Sequence, residues 1–156
     1  MEAAVAVNDA RKSHMAKRVI EACHGSVRGK TVAVLGLTFK PETDDMRDAP
    51  SLSIVARLAG EGAAIRAFDP EGMQQGRPLL PDSVLYCRDA LDAAKGADAL
   101  VLITEWNEFR ALSPARLRAT MRGRVLIDLR NVYDPVAMRQ VGFDYHCVGR
   151  PASGFG

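Results

Sequence analysis

The chain has 156 residues, 47% of them apolar and 26% charged, the composition of one ordinary soluble domain long enough to close a single core. Lysine and arginine number 21 against 19 acidic residues, for a net charge of +2. The charges are interspersed rather than gathered in blocks, which argues against partners selected by bulk charge, such as nucleic acid or an anionic membrane. The longest apolar runs, such as Ala97 to Ile103, are broken by Asp98 and fall short of a bilayer span, and no basic-then-apolar signal opens the chain, so the sequence reads as cytoplasmic.

From Glu2 to His24 there is no Gly or Pro, and Met15, Val19 and Cys23 recur at four-residue spacing before Gly25. That pattern predicts a helix with one apolar stripe over residues 1–25, opening without an obvious cap. Thr31 to Leu35 is a continuous β-rich apolar run of the kind buried on both faces of a parallel sheet. Similar runs follow at Ala64 to Phe68, Val84 to Cys87, Ala99 to Ile103 and Val125 to Asp128, and a short edge strand is expected at Tyr145 to Val148. Helix-compatible segments lie between them at Pro50 to Gly60, Asp89 to Lys95 and Pro114 to Met121. The alternation predicts a Rossmann-like α/β domain over residues 26–150, with a doubly wound, mostly parallel sheet. The Gly- and Pro-containing end, 151–156, reads as a flexible tail.

Cys23, Cys87 and Cys147 are widely spaced, without the pairing of a zinc site, and read as reduced structural thiols. Cys147 follows His146, but neighbours on a strand point to opposite faces, so they make a poor nucleophile and base.

Ligands of open parallel sheets bind beyond the carboxyl ends of the strands, and the connection after the first strand is unusually long. It runs Gly36-Leu-Thr-Phe-Lys-Pro-Glu-Thr-Asp-Asp-Met-Arg-Asp48, with Asp48 a possible cap of the helix that Pro50 opens. An aromatic (Phe39), two cations (Lys40 and Arg47) and a positive helix end are the ingredients of a phosphate site. The alternative is a solvated connection, which Phe39 and Met46 disfavour. Gly36 stands alone, with no G-x-G-x-x-G after the strand, so a dinucleotide is not expected in the ordinary Rossmann position. Asp69 resembles the acid that grips an NAD ribose, yet it lies 33 residues beyond Gly36, where the fingerprint expects roughly 20. A turn or cap before Pro70 is the favoured reading.

The run Val34 to Ser51 is similar to the signature of the UDP-binding domain in the UDP-glucose/GDP-mannose dehydrogenase family. Ala67-Phe-Asp-Pro70, Ala97 to Phe109, Asp128-Leu-Arg-Asn131 and Gly149-Arg150 resemble the same family in the same order, and Thr104-Glu-Trp106 with Asp128 to Asn131 resembles its UDP-glucose branch. The resemblance covers Asn8 to Arg150. It implies two Rossmann-like domains joined by a long central helix, this chain being the end of that helix and the second, C-terminal domain. The implied reaction oxidises UDP-glucose twice to UDP-glucuronate, with two NAD+ reduced, through an intermediate linked to a cysteine. That cysteine's motif, its assisting residues and the NAD fingerprint have no counterpart here, so no catalytic residue and no metal ligand is assigned and the isolated chain is expected to be inactive. The implied partners are the missing NAD-binding and central domains, in a homo-oligomer.

By resemblance, Phe39, Lys40 and Arg130 line the UDP-sugar, and Arg47 contacts NAD across the interdomain cleft. The alternative for Arg130 is an ion pair with Asp128 or Asp134. Asp45 either orients Arg47 or Lys40 or is merely solvated. Trp106, the only tryptophan, either stacks on the uracil or, as favoured, packs in the core. Two rivals remain. A flavodoxin-like regulatory module is disfavoured because the first strand ends in Leu35-Gly36 rather than in acids; a subunit of a split dehydrogenase stays open.

Overall fold

The structure, a computed structural model, describes residues 14–38, 40–41, 45–46 and 49–147. Its six strands are β1 (Thr31–Leu35), β2 (Ala64–Phe68), β3 (Leu85–Tyr86), β4 (Ala99–Leu102), β5 (Val125–Asp128) and β6 (Asp144–Cys147). They form one sheet in the order β3-β2-β1-β4-β5-β6, every neighbouring pair parallel. This is the doubly wound order in which chain direction reverses between β1 and β4, and that switch point is where such sheets hold ligands. The order also removes the flavodoxin-like rival, whose sheet runs 2-1-3-4-5.

The central strands are apolar throughout because both faces are covered. Along β1, Val32 and Val34 face one core while Ala33 and Leu35 face the other. Along β4, Ala99 and Val101 join the first core and Leu100 and Leu102 the second. The first core is closed by helix α1, residues 14–22, and by α2 (Pro50–Gly60), through Ala16, Val19, Ile54, Val55 and Leu58. The second is closed by α4 (Ala90–Ala94), α5 (Asn107–Arg110), α6 (Pro114–Thr120) and α7 (Pro135–Gln140), through Ala93, Phe109, Leu117 and Met138. A short α3 (Met73–Gly76) lies between them in sequence. Each fully buried leucine or isoleucine in these layers contributes about 1.5–3 kcal/mol of transfer free energy.

Strands β1, β2 and β5 and helix α2 have the bounds read from the sequence. The short helices α3, α5 and α7 were not foreseen, and β6 begins at Asp144, with Val148 outside the described residues. The expected cap of α2 also differs: the N-cap position is Ala49, without a side-chain bond, and Asp48 lies outside the described residues. The N-terminal helix ends as its glycine suggested, His24 and Gly25 turning left-handed with Gly25 N–H donating to Ile20 O. Its apolar stripe packs on this domain, with Val19 and Cys23 buried in the first core. The expected tail, 151–156, lies outside the described residues. No helix among the described residues is long and apolar enough to cross a membrane.

At the amino edge of the sheet Asp98 receives a two-pronged bond from Arg122, 2.9 Å to Oδ1 and 2.8 Å to Oδ2, and the Thr31 N–H at 2.9 Å. The Arg122 guanidinium holds the Asp98 carboxyl below the usual carboxylate range, against partial burial, which raises it. A depressed folded-state pKa adds stability above the unfolded value and loses it as the pH falls through the folded one. Asp98→Asn is therefore expected to lower Tm at neutral pH by an amount that shrinks below about pH 4. A Tm deficit that stays constant down to about pH 2 contradicts this account.

Candidate functional site

Every buried polar or charged residue among those described, namely Thr38, Ser51, Asp69, Thr104 and Asp128, sits at the carboxyl edge of the sheet or bonds to it. Buried polar groups are the informative exceptions in a protein interior, and here they mark one edge. Beyond β1 the chain turns at Gly36, whose φ is +93° and whose N–H donates to Phe68 O at 2.9 Å. A Cβ there would meet the Thr104 backbone nitrogen at 2.5 Å, so both the conformation and the space require glycine.

Asp69, directly after β2, is fully buried. Its Oδ2 accepts the N–H groups of Leu37 (2.6 Å) and Thr38 (3.0 Å) and the Trp106 indole N–H (3.2 Å). Its Oδ1 accepts the N–H groups of Glu71 (2.9 Å) and Gly72 (2.7 Å). The local turn is the one the sequence favoured; the reach to the loop after β1 is new. The Thr38 hydroxyl lies between Asp69 Oδ2 (3.3 Å) and Lys40 O (3.0 Å) and donates to one at a time, while Thr38 O accepts the Thr104 hydroxyl at 2.7 Å. Ser51, in the first turn of α2, donates to Leu37 O. The field of Asp69 reaches Glu108, whose carboxyl is pushed up first by partial burial and then by Asp69 and Asp89.

Asp128, the last residue of β5, is the second fully buried acid. Oδ1 accepts Arg130 N–H (3.0 Å), and Oδ2 accepts the N–H groups of Val132 (2.8 Å) and Tyr133 (3.0 Å) and the Tyr145 hydroxyl (2.7 Å). Burial, then the Asp128 charge, raises the Tyr133 phenol far above its usual range, so it stays protonated and donates to Phe109 O at 2.6 Å.

The sequence-derived site residues separate as follows. Lys40 is exposed on the loop beyond the carboxyl end of β1, and Asp45 is partly exposed. Phe39 and Arg47 lie outside the described residues. Arg130 is exposed just past β5, and its Nε pairs with Glu105 Oε2 at 2.6 Å. Its ion partner is thus neither Asp128 nor Asp134. Asp128 is occupied by backbone donors and the Tyr145 hydroxyl, and Asp134 caps α7 through Ala137 N–H. Trp106 is 6% exposed and bonded to Asp69, a packed residue rather than an open stacking platform. No group of three or more His, Cys, Asp or Glu among the described residues has a metal-binding arrangement.

The turn after β1 does not fit the pyrophosphate of NAD. Its Leu37 and Thr38 N–H groups, which a dinucleotide turn would aim at phosphate, already point at Asp69. The cysteines offer no accessible thiolate either. Cys23, Cys87 and Cys147 are buried, and burial pushes the Cys23 and Cys87 thiols up, with Lys30 and Arg66 offsetting it only in part.

A family model for the UDP-binding domain of the UDP-glucose/GDP-mannose dehydrogenase family matches residues 33–135, most of the sheet and of the edge just described, with Tyr145 on β6 outside it. The chain belongs to that family. It is 51% identical to a UDP-glucose 6-dehydrogenase of Rhizobium meliloti over 97% of its own length and 34% of that protein. Among solved structures, a UDP-glucose dehydrogenase from Pyrobaculum islandicum is 31% identical, with a TM-score of 0.69 over 83% of this chain and 28% of the other. An NDP-N-acetyl-D-galactosaminuronic acid dehydrogenase from Methanosarcina mazei, at 24% identity and a TM-score of 0.78, covers 95% of this chain and 30% of its own and shares the fold. The chain spans about a third of the length of the curated relatives it matches.

Within this family domain, Gly36→Ala is expected to cost about 2–4 kcal/mol, the sum of a left-handed backbone and a forced contact; a urea midpoint within error of wild type contradicts the Thr104 contact. All three cysteines are expected to label with a thiol reagent at neutral pH only on unfolding, and rapid labelling of the native chain contradicts their assignment as structural.

Proposed function

We propose that the chain is the C-terminal, nucleotide-sugar-binding domain of a cytoplasmic, NAD-dependent UDP-glucose 6-dehydrogenase, which converts UDP-glucose and two NAD+ to UDP-glucuronate. The reading rests on one observation: the UDP-binding family match spans Lys40 and Arg130 together with the strand ends that carry them. With the turn amides occupied by Asp69, phosphate oxygens fall to side-chain cations and to the positive end of α2, an 11-residue helix opened by Pro50. Lys40 supplies the charge near the diphosphate or the forming carboxylate. Arg130 reaches the substrate at the domain interface, turning from Glu105 or sharing it. Phe39 lines the sugar nucleotide, and Arg47 meets NAD held mainly by a domain outside this chain. Two oxidations at one carbon require the nucleotide end to stay held through both, which suits binding energy supplied far from the reacting centre.

The isolated chain is expected to bind UDP weakly and saturably, since it carries only one wall of the cleft. Lys40→Ala should weaken that binding roughly fivefold to tenfold by titration calorimetry; equal affinities contradict the assigned loop. No NAD reduction with UDP-glucose is expected from the chain alone, and turnover by it would contradict the assignment. Turnover that appears only when a second polypeptide carrying the dinucleotide fingerprint is added identifies a split enzyme.

A further inference from the structure

We propose that Asp69 is a positioning residue for ligand binding, holding the two proposed substrate cations, Lys40 and Arg130, in fixed relation. The proposal rests on the reading of this edge as the UDP-sugar site. From Asp69 one line of bonds runs to Thr38, whose N–H it accepts and whose hydroxyl is shared between Asp69 and Lys40 O, so the backbone at Lys40 is set through Thr38. A second line runs through the Trp106 indole to the segment after β4, where the adjoining Glu105 holds the Arg130 side chain. The Thr104 hydroxyl closes the circuit on Thr38 O. One buried carboxylate thereby ties the ends of β1, β2 and β4, and Leu37, Thr38 and the Lys40 carbonyl are held before any ligand arrives, which removes part of the ordering cost from binding.

Asparagine has the same shape but replaces one acceptor oxygen with an NH2 donor. In Asp69→Asn it must face either the Leu37, Thr38 and Trp106 donors or those of Glu71 and Gly72. A purely structural role predicts that affinity follows stability; a positioning role predicts coupling to Lys40 in particular. The test is a double-mutant cycle on the chain, with UDP affinity measured by calorimetry well below each variant's Tm. Asp69→Asn is expected to weaken UDP binding about tenfold, and Lys40→Ala to cost less than about twofold more in that background. In the Asp98→Asn background, at the opposite edge, Lys40→Ala should retain its full wild-type cost. Trp106, as the only tryptophan, should report the change as altered emission of the ligand-free Asp69→Asn chain.

Should Asp69→Asn fail to fold, Thr38→Val removes the hydroxyl that donates to Lys40 O from a residue whose N–H Asp69 holds, and should reduce the Lys40→Ala cost in the same way. An undiminished Lys40→Ala cost in the Asp69→Asn background, or in Thr38→Val where Asp69→Asn does not fold, overturns the positioning role. Absence of saturable UDP binding by the wild-type chain overturns the underlying reading, and this proposal with it.

Discussion

A carboxylate removed from water must find its hydrogen bonds inside the protein, because an uncompensated buried ion costs several kcal/mol. Asp69 meets that requirement at the end of β2 with donors that come largely from elsewhere in the sheet. Parallel pairing sets β2 beside β1, and β1 beside β4, with all their carboxyl ends together. The donors that reach Asp69 from other strands are therefore the amides of Leu37 and Thr38, just past β1, and the indole two residues past Thr104. Satisfying one charge fixes the direction in which the long loop leaves the sheet, and Gly36 is the residue that makes the turn sterically possible.

Asp128 applies the same rule one strand beyond β4. Its backbone partners, Arg130, Val132 and Tyr133, belong to its own loop, and the Tyr145 hydroxyl brings in β6. The loop passes through Asn131 at a φ of +56°, a conformation asparagine tolerates better than most residues. Each proposed cation thus leaves a segment whose backbone is held by a buried acid, Lys40 by way of Thr38 and Arg130 directly. The long side chains stay at the surface while the peptides beneath them are fixed, an arrangement suited to an incoming polyanion.

The sheet was legible because its central strands are buried on both faces and so read as unbroken apolar runs; β1, β2 and β5 needed no tertiary information. The short helices were not. Helix α5 has no side-chain cap, and its four residues, Asn107 to Arg110, show no helical period. Helix α7 did carry a readable signal in Asp134 followed by Pro135, a capping acid before a first-turn proline. Asp69 was half legible: an acid before a proline announces a turn, but its bonds to residues more than thirty positions earlier depend on strand order. The partner of Arg130 was misread for a related reason. Asp128 and Asp134 are closer in sequence, but the parallel β4–β5 pairing sets the segment after β5 beside the one that carries Glu105.

The same topology serves dinucleotides in other Rossmann domains, where the amides of the first turn donate to the ligand's pyrophosphate. Here the protein's own carboxylate accepts those amides, and the turn has no second glycine to let a phosphate approach. On the proposed reading, a diphosphate at this edge is met farther out, by side-chain cations such as Lys40 on the connection between β1 and α2. The extended connection from Gly36 to Pro50, the exposed Lys40 and the internal anion at Asp69 are linked consequences of one substitution of roles, in which the phosphate-binding turn of a doubly wound sheet is filled from within.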